Sequence, residues 1–368
     1  MSAQKCLVAA SSRLAAAVLV LAGVARSEVA FADTDKQTSW TVSSTESVSP
    51  GDITVGADRN LWFPETGTNR IGRITTAGEV REFTIFDAIE LGPAIALGPD
   101  GKIWVAGTGL DGKVHVWAVD ASGSSDEIAP LGESPAPGLS YFPTGITAGP
   151  DGNVWITWFY SIARVSPAGD VTQFSPSGDE FPTTITVGPD MGLWFAESIG
   201  PFAARRQGLA RITTDGTIEQ VLIESGRGVS WPSSIITGPD GNLWFADNGY
   251  SEIVRVTVTP VSRTAFPFAG PTELAAGPDG NIWITSNGRQ SITRMTPGGA
   301  STEFGLPMAR ARPLGIVAGP DGNLWFTDPG IGGIGRITPE GVVTEFAIRL
   351  PPRLPIHSPR IPRSIGPR

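Results

Sequence analysis

GPDGNLWF stands at Gly238–Phe245 and again, unchanged, at Gly319–Phe326. Near copies open at Gly98 (GPDGKIWV), Gly149 (GPDGNVWI) and Gly277 (GPDGNIWI), and worn ones at Gly56 (GADRNLWF) and Gly188 (GPDMGLWF). Their tryptophans, Trp62, Trp104, Trp155, Trp194, Trp244, Trp283 and Trp325, are spaced 42, 51, 39, 50, 39 and 42 residues apart. A period of that size belongs to solenoids, propellers and arrays.

Each repeat holds four short β-type runs. In the last copy they read LGIVAG, NLWFTD, IGRITP and VVTEFAI, parted by clusters of Gly, Pro and Asp. Alternation and β-branched residues make these strands and turns, and no stretch has helical periodicity. Seven units of four strands predict an all-β chain folded as a seven-bladed β-propeller with four antiparallel strands per blade. A solenoid would need capping repeats, and none is visible. Two runs, Thr38–Ser43 and Val342–Ile348, could each be the outermost strand that closes the ring.

The repeated phrase itself reads as scaffold. Pro-Asp-Gly is a tight turn between first and second strands, in which Pro presets φ and Gly accepts a positive φ. The tryptophan that follows is expected to pack between blades. The third-strand arginines Arg73, Arg164, Arg211, Arg255, Arg294 and Arg336 recur with it and share the structural reading.

Function should lie where the repeats differ. Antiparallel strands send the loop entering the first strand and the loop leaving the second to one face, opposite the GPDG turns. Two long segments, Asp120–Phe142 and Glu197–Gly208, fall on that face, the first read as an extended entrance to blade three. Insertions gathered on one face mark a binding face. The aromatics Tyr141, Phe142, Trp158, Phe159, Tyr160, Phe181, Trp231 and Tyr250 fall there too, as do Arg205 and Arg206, which could meet a carboxylate or oxyanion. They suggest a partly apolar pocket for a small molecule, peptide or glycan.

The position three after each repeat tryptophan reads Glu65, Gly107, Trp158, Glu197, Asp247, Ser286 and Asp328. Four carboxylates at a channel mouth, with Glu273 as an extra acid at the same rim, could hold Mg²⁺ or Ca²⁺ through oxygen ligands. The competing reading is that each caps a turn or pairs with an arginine.

Residues 1–32 carry Lys5 and Arg13, an apolar run Leu14–Ala25 and the triplet Ala30-Phe31-Ala32, the pattern of a secretory signal peptide. The expected mature chain is therefore exported, without a transmembrane segment, and monomeric. Its body, residues 33–348, has 19 Lys+Arg against 35 Asp+Glu, a net charge of −16, which argues against nucleic acid. The tail 349–368 has five arginines and no acid, interleaved with proline, and is expected to be disordered.

Repeats of the form P-x-x-I-x-x-G-P-D-G-N-L-W-F-T-[DE]…I-G-R-I-T-x-x-G-x-[IV]-x-E-[FY] resemble the virginiamycin B lyase family. The likeness covers about residues 50–347, with Pro313–Phe346, Pro232–Val256 and Ile53–Phe83 as the best copies. It implies elimination across the ester bond of a streptogramin B depsipeptide, with Mg²⁺ and a histidine base at the propeller mouth. It further implies that the histidines follow the proline that opens a repeat. Here those positions hold Gly51, Ala94, Thr144, Thr183, Ser233, Thr272 and Leu314. His115 and His357 are the two histidines of the chain, one in a third-strand region and one in the tail. Of the family's pattern only Glu65, Glu197, Asp247 and Asp328 carry over. Two functions follow as expectations: a binding propeller without histidine chemistry, or a metal-assisted lyase or hydrolase with a carboxylate base.

Overall fold

The computed structural model describes residues 48–133, 142–176, 180–199, 208–223 and 232–348. All belong to one compact unit, Thr38–Arg368; the other unit, Met1–Gln37, lies outside the described residues, as do the signal-peptide pattern, the run Thr38–Ser43 and the arginine-rich tail. Among the described residues there is no helix, hence none long and apolar enough to cross a membrane.

Twenty-eight strands form seven four-stranded antiparallel sheets, each from a contiguous piece of chain. Blade 1 spans Thr54–Thr84, blade 2 Ala88–Glu133, blade 3 Gly145–Phe174 and blade 4 Glu180–Ile223. Blades 5, 6 and 7 span Pro232–Pro267, Leu274–Gly305 and Ile316–Ala347. First strands touch first strands all the way round, blade 7 against blade 1 included, so they line the axis and the ring is closed. Val343–Ala347 is the fourth strand of blade 7. The long segment Asp120–Phe142 is only partly an entrance loop, because Ser125–Glu133 within it is the fourth strand of blade 2.

The repeated phrase builds the turn and the blade contact together. In all seven blades the turn aspartate accepts a hydrogen bond from the indole N–H four residues on, as Asp240 does from Trp244 at 2.9 Å and Asp321 from Trp325 at 3.0 Å. The glycine before Pro-Asp is needed because the indole lies over it: a Cβ there would come 2.2–2.6 Å from the ring. The turn residue after Asp has positive φ, 71° at Gly241 and 79° at Gly322, and in the worn copies Arg59 and Met191 adopt the same conformation at 60° and 59°.

Each tryptophan then packs on the next blade, Trp62 against blade 2 and so on to Trp325 against blade 1. Losing one such ring would cost roughly 3–5 kcal/mol. In blade 1 the Arg73 guanidinium lies 5.4 Å from the Trp62 ring centre and 5.5 Å from that of Phe83 on the fourth strand. Its Nη1 donates to the Ala121 carbonyl of blade 2, and Arg164, Arg255, Arg294 and Arg336 reach the following blade in the same way. Tryptophan and arginine are the joints between blades.

Candidate functional site

Second strands run away from the GPDG turns, so each ends on the opposite face and carries the position three after its tryptophan towards the rim. Glu65, Trp158, Glu197, Asp247, Ser286 and Asp328 occupy that station and all are buried. The carboxylates are engaged locally. Asp328 Oδ1 accepts the backbone N–H groups of Arg312 at 2.8 Å and Gly330 at 3.0 Å, and Asp247 Oδ1 accepts that of Tyr250 at 3.1 Å. These are turn caps.

Three further partners come from the fourth strand of the same blade, at the position of the E in the repeat's E-[FY]. Gln220 donates to Glu197 Oε2 at 2.7 Å. Glu82 shares a hydrogen bond with Glu65, and Glu345 lies against Asp328. The third strand between them is thin at the crossing point, with Gly72 opposite Glu82, Ala210 opposite Gln220 and Gly335 opposite Glu345. These fourth-strand partners were in the repeat pattern but had no assigned role.

Crowding sets the protonation of these groups. Burial, then the charge of Glu82, pushes Glu65 up to about 7, partly opposed by Arg70. Burial, then the charge of Asp328, pushes Glu345 up to about 7, and burial also raises Asp328. One oxygen each of Glu65, Glu82, Asp328 and Glu345 is buried without a hydrogen-bond partner among the described residues.

Such oxygens suit the Mg²⁺ that the family resemblance implies, but the donor set does not. The four rim acids stand one to a blade, and among the described residues no three His, Asp or Glu side chains form a group able to hold a metal ion.

The aromatic set divides. Phe159, Tyr160 and Phe181 come together where the hairpin turn of blade 3 meets the entering strand of blade 4. Tyr160 stacks on Phe181 at 4.1 Å between ring centres, and Phe159 meets Tyr160 edge-on at 4.3 Å. Phe159 holds a φ of 50° in the two-residue turn between Trp158 and Ser161, strain that stands beside the candidate surface. Trp158, at 7 % exposure, belongs to the core between blades 2 and 3. Tyr250 is half-buried in the corresponding turn of blade 5. Tyr141, Arg205, Arg206 and Trp231 lie outside the described residues.

Glu273 is set deeper than the rim. It is on the axial side of blade 6, lining a cavity shared with Asp52 of blade 1, which sequence reading passed over. Ser234 donates its hydroxyl to Glu273 Oε1 at 2.6 Å.

The seven positions after the blade-opening prolines lie within the first strands or shortly before them, Ala94 and Thr183 being well inside theirs. Three of their hydroxyls tie neighbouring blades together. Thr144 donates to the Pro182 carbonyl at 3.5 Å, Thr183 to that of Pro232 at 3.2 Å and Ser233 to that of Thr272 at 2.7 Å. His115 sits between Asp111 and Glu127 in the outer half of blade 2, each of its ring nitrogens 2.8 Å from a carboxylate oxygen.

The virginiamycin B lyase family matches residues 25–128 and 129–357. Among solved structures, a streptogramin B lyase is 26% identical with a TM-score of 0.65, covering 77% of this chain and 91% of that one. A catalytically inactive histidine-to-alanine variant of virginiamycin B lyase from Staphylococcus aureus with quinupristin is 26% identical with a TM-score of 0.67, covering 79% and 95%. Comparison with curated protein sequences gave no match.

Proposed function

The chain belongs to the virginiamycin B lyase family, and from that premise we propose that it is a secreted propeller that binds a small molecule, peptide or glycan at its aromatic, acidic face, without the family's histidine-dependent elimination. One observation carries the reading. Where the resemblance expects histidine, this chain has Gly51, Ala94, Thr144, Thr183, Ser233, Thr272 and Leu314, and three of those hydroxyls are spent on blade-to-blade hydrogen bonds. The related S. aureus enzyme is described as catalytically inactive once a histidine becomes alanine.

A second reading, a lyase with a carboxylate base, draws support from Glu65, whose carboxyl is raised to about 7, in the range for proton abstraction near neutrality. Reach weighs against it. A general base must come within hydrogen-bond distance of the proton it takes, and Glu65 is 1 % exposed. The half-buried rings of Phe159, Tyr160 and Phe181 are better placed to meet a ligand.

The test is incubation of the purified protein with quinupristin, with and without Mg²⁺, followed by liquid chromatography with mass spectrometry and by a fluorescence titration. The expected outcome is saturable binding of an unaltered antibiotic, weakened in Tyr160→Ala. A product of unchanged mass and new retention, or one heavier by a water, would overturn the non-catalytic reading. Absence of binding would remove this ligand class.

A further inference from the structure

The dipeptide Asn-Gly occurs twice in the chain, at Asn248-Gly249 and at Asn287-Gly288. Each opens the hairpin turn that leaves a second strand at the rim. Asn248–Ser251 follows the strand Leu243–Asp247 in blade 5, and Asn287–Gln290 follows Ile282–Ser286 in blade 6. The last residue of each turn is left-handed, with φ 53° at Ser251 and 55° at Gln290. The two turns are copies in neighbouring blades, yet their asparagine side chains are held in opposite ways.

In blade 6 the amide oxygen is engaged. Asn287 Oδ1 accepts a hydrogen bond from Arg312 Nε at 3.3 Å. Arg312 comes from the loop entering blade 7, where its backbone N–H is anchored on Asp328 Oδ1 at 2.8 Å. The Asn287 backbone is anchored too: its N–H donates to the Thr272 hydroxyl at 3.1 Å, and its C=O accepts the Gln290 N–H at 3.3 Å. The N–H of Gly288 has no hydrogen-bond partner among the described residues. Gly288 is exposed, and a Cβ added there would meet nothing within 4 Å. In blade 5 the other end of the amide is engaged. Asn248 Nδ2 donates to Ser233 Oγ at 3.2 Å, and among the described residues no donor reaches Asn248 Oδ1.

We propose that Asn287-Gly288 is a self-modification site, at which Asn287 deamidates in the folded protein with Arg312 as its oxyanion donor. The Gly288 nitrogen loses its proton to solvent and bonds to the Asn287 side-chain carbonyl carbon. Negative charge then develops on Oδ1, where the Arg312 N–H already points; a donor fixed at that place lowers the barrier. The carbon–Nδ2 bond breaks, ammonia leaves with a proton from water, and a succinimide closes. Water opens the ring at either carbonyl, so the net change is asparagine plus water to aspartate or isoaspartate plus ammonia. Glycine is needed because a side chain would hinder the attacking nitrogen and stiffen the backbone that must rotate. At Asn248 the oxygen meets no donor and the departing nitrogen is tethered. An aspartate at 287 would turn the contact with Arg312 into a charge-assisted one, roughly twice as strong. It would also give blade 6 a rim carboxylate, where Ser286 now holds the station that four other blades fill with an acid. The modification is independent of which ligand the rim binds.

The experiment ages the purified full chain, Arg312→Ala and Gly288→Ala in mildly alkaline buffer and follows amide-to-acid conversion at residues 287 and 248 by peptide mapping with mass spectrometry. In the unmodified protein Asn287 should convert several-fold faster than Asn248. Arg312→Ala should bring the Asn287 rate down to that of Asn248. Gly288→Ala, whose methyl enters open space, should stop conversion at 287 and leave that at 248 unchanged. The same mapping in urea separates local geometry from sequence. There the two Asn-Gly pairs should convert at similar rates, and Arg312→Ala should change neither. Equal rates in the folded chain, an Asn287 slower than Asn248, or an Asn287 rate that Arg312→Ala leaves unchanged or raises would overturn the proposal. So would an Arg312→Ala effect that persists in urea, because the arginine acts only where the fold puts it.

Discussion

Gln220 donates its side-chain N–H to Glu197 Oε2 at 2.7 Å, in the place where blades 1 and 7 set one carboxyl against another, Glu82 on Glu65 and Glu345 on Asp328. The same station is thus filled by a permanent donor in one blade and by a group that donates only when protonated in two others. Gln220→Glu should carry blade 4 into the second class. The expected loss is about 1–3 kcal/mol of unfolding free energy at pH 8, shrinking at pH 5 where the new carboxyl keeps its proton. Urea unfolding at both pH values checks it, and equal losses would refute the account.

The reverse change tests the linkage. Burial and then Asp328 raise Glu345 to about 7, above its ordinary value of 4.5. Between those values the folded chain holds a proton that the unfolded chain has released, so stability falls as pH rises. The contribution is complete below about pH 4.5 and is lost through pH 7. Glu345→Gln should flatten the stability profile from pH 5 to 8 and leave the variant the more stable at pH 8, by on the order of 1–3 kcal/mol. Parallel profiles for the two proteins would show that Glu345 is not the group responsible.

Met191 sits in the left-handed conformation that glycine holds in the intact copies of the turn, with 63 % of its surface exposed. A side chain there costs about 1–2 kcal/mol, and glycine gives back about 0.4–1 through its freer unfolded chain. Met191→Gly should therefore raise the melting temperature slightly, and Gly241→Met should lower it. A lower melting temperature for Met191→Gly would contradict the strain argument.

Two residues of one hairpin, Trp158 and Tyr160, should part company under mutation. Trp158 is core, and Trp158→Ala should cost roughly 3–5 kcal/mol of stability. Tyr160 stacks on Phe181 at the surface, and Tyr160→Ala should alter stability by less than about 1 kcal/mol while weakening ligand capture several-fold. Comparable unfolding curves with undiminished binding for Tyr160→Ala would move the ligand site elsewhere on the face.

The architecture was open to sequence reading because every blade needs the same joints. Gly-Pro-Asp-Gly, Trp and Arg recur at fixed offsets, and each offset is a contact. The i, i+4 bond from Asp to indole was present in the same spacing, though its role emerges only with the side chains placed. The rim acids were legible as positions but not as pairs, since their partners come from a strand about twenty residues on and vary between Glu82, Gln220 and Glu345. Asp52 and Glu273 were the least legible. They lie near opposite ends of the repeat array and line one cavity only because the ring closes.

Closure itself is made without exchanging a strand. Every sheet comes from one uninterrupted segment, Val48 and Ile348 share a single apolar cluster, and Thr327 donates to the Gly51 carbonyl at 2.7 Å across the seam. Blade 7 meets blade 1 as any blade meets its successor. The ring therefore has no mechanical beginning: joining the two ends near that cluster and cutting between any two blades would leave every sheet whole. Within this fold the starting point is a property of the gene, and circularly permuted versions should assemble the same rim.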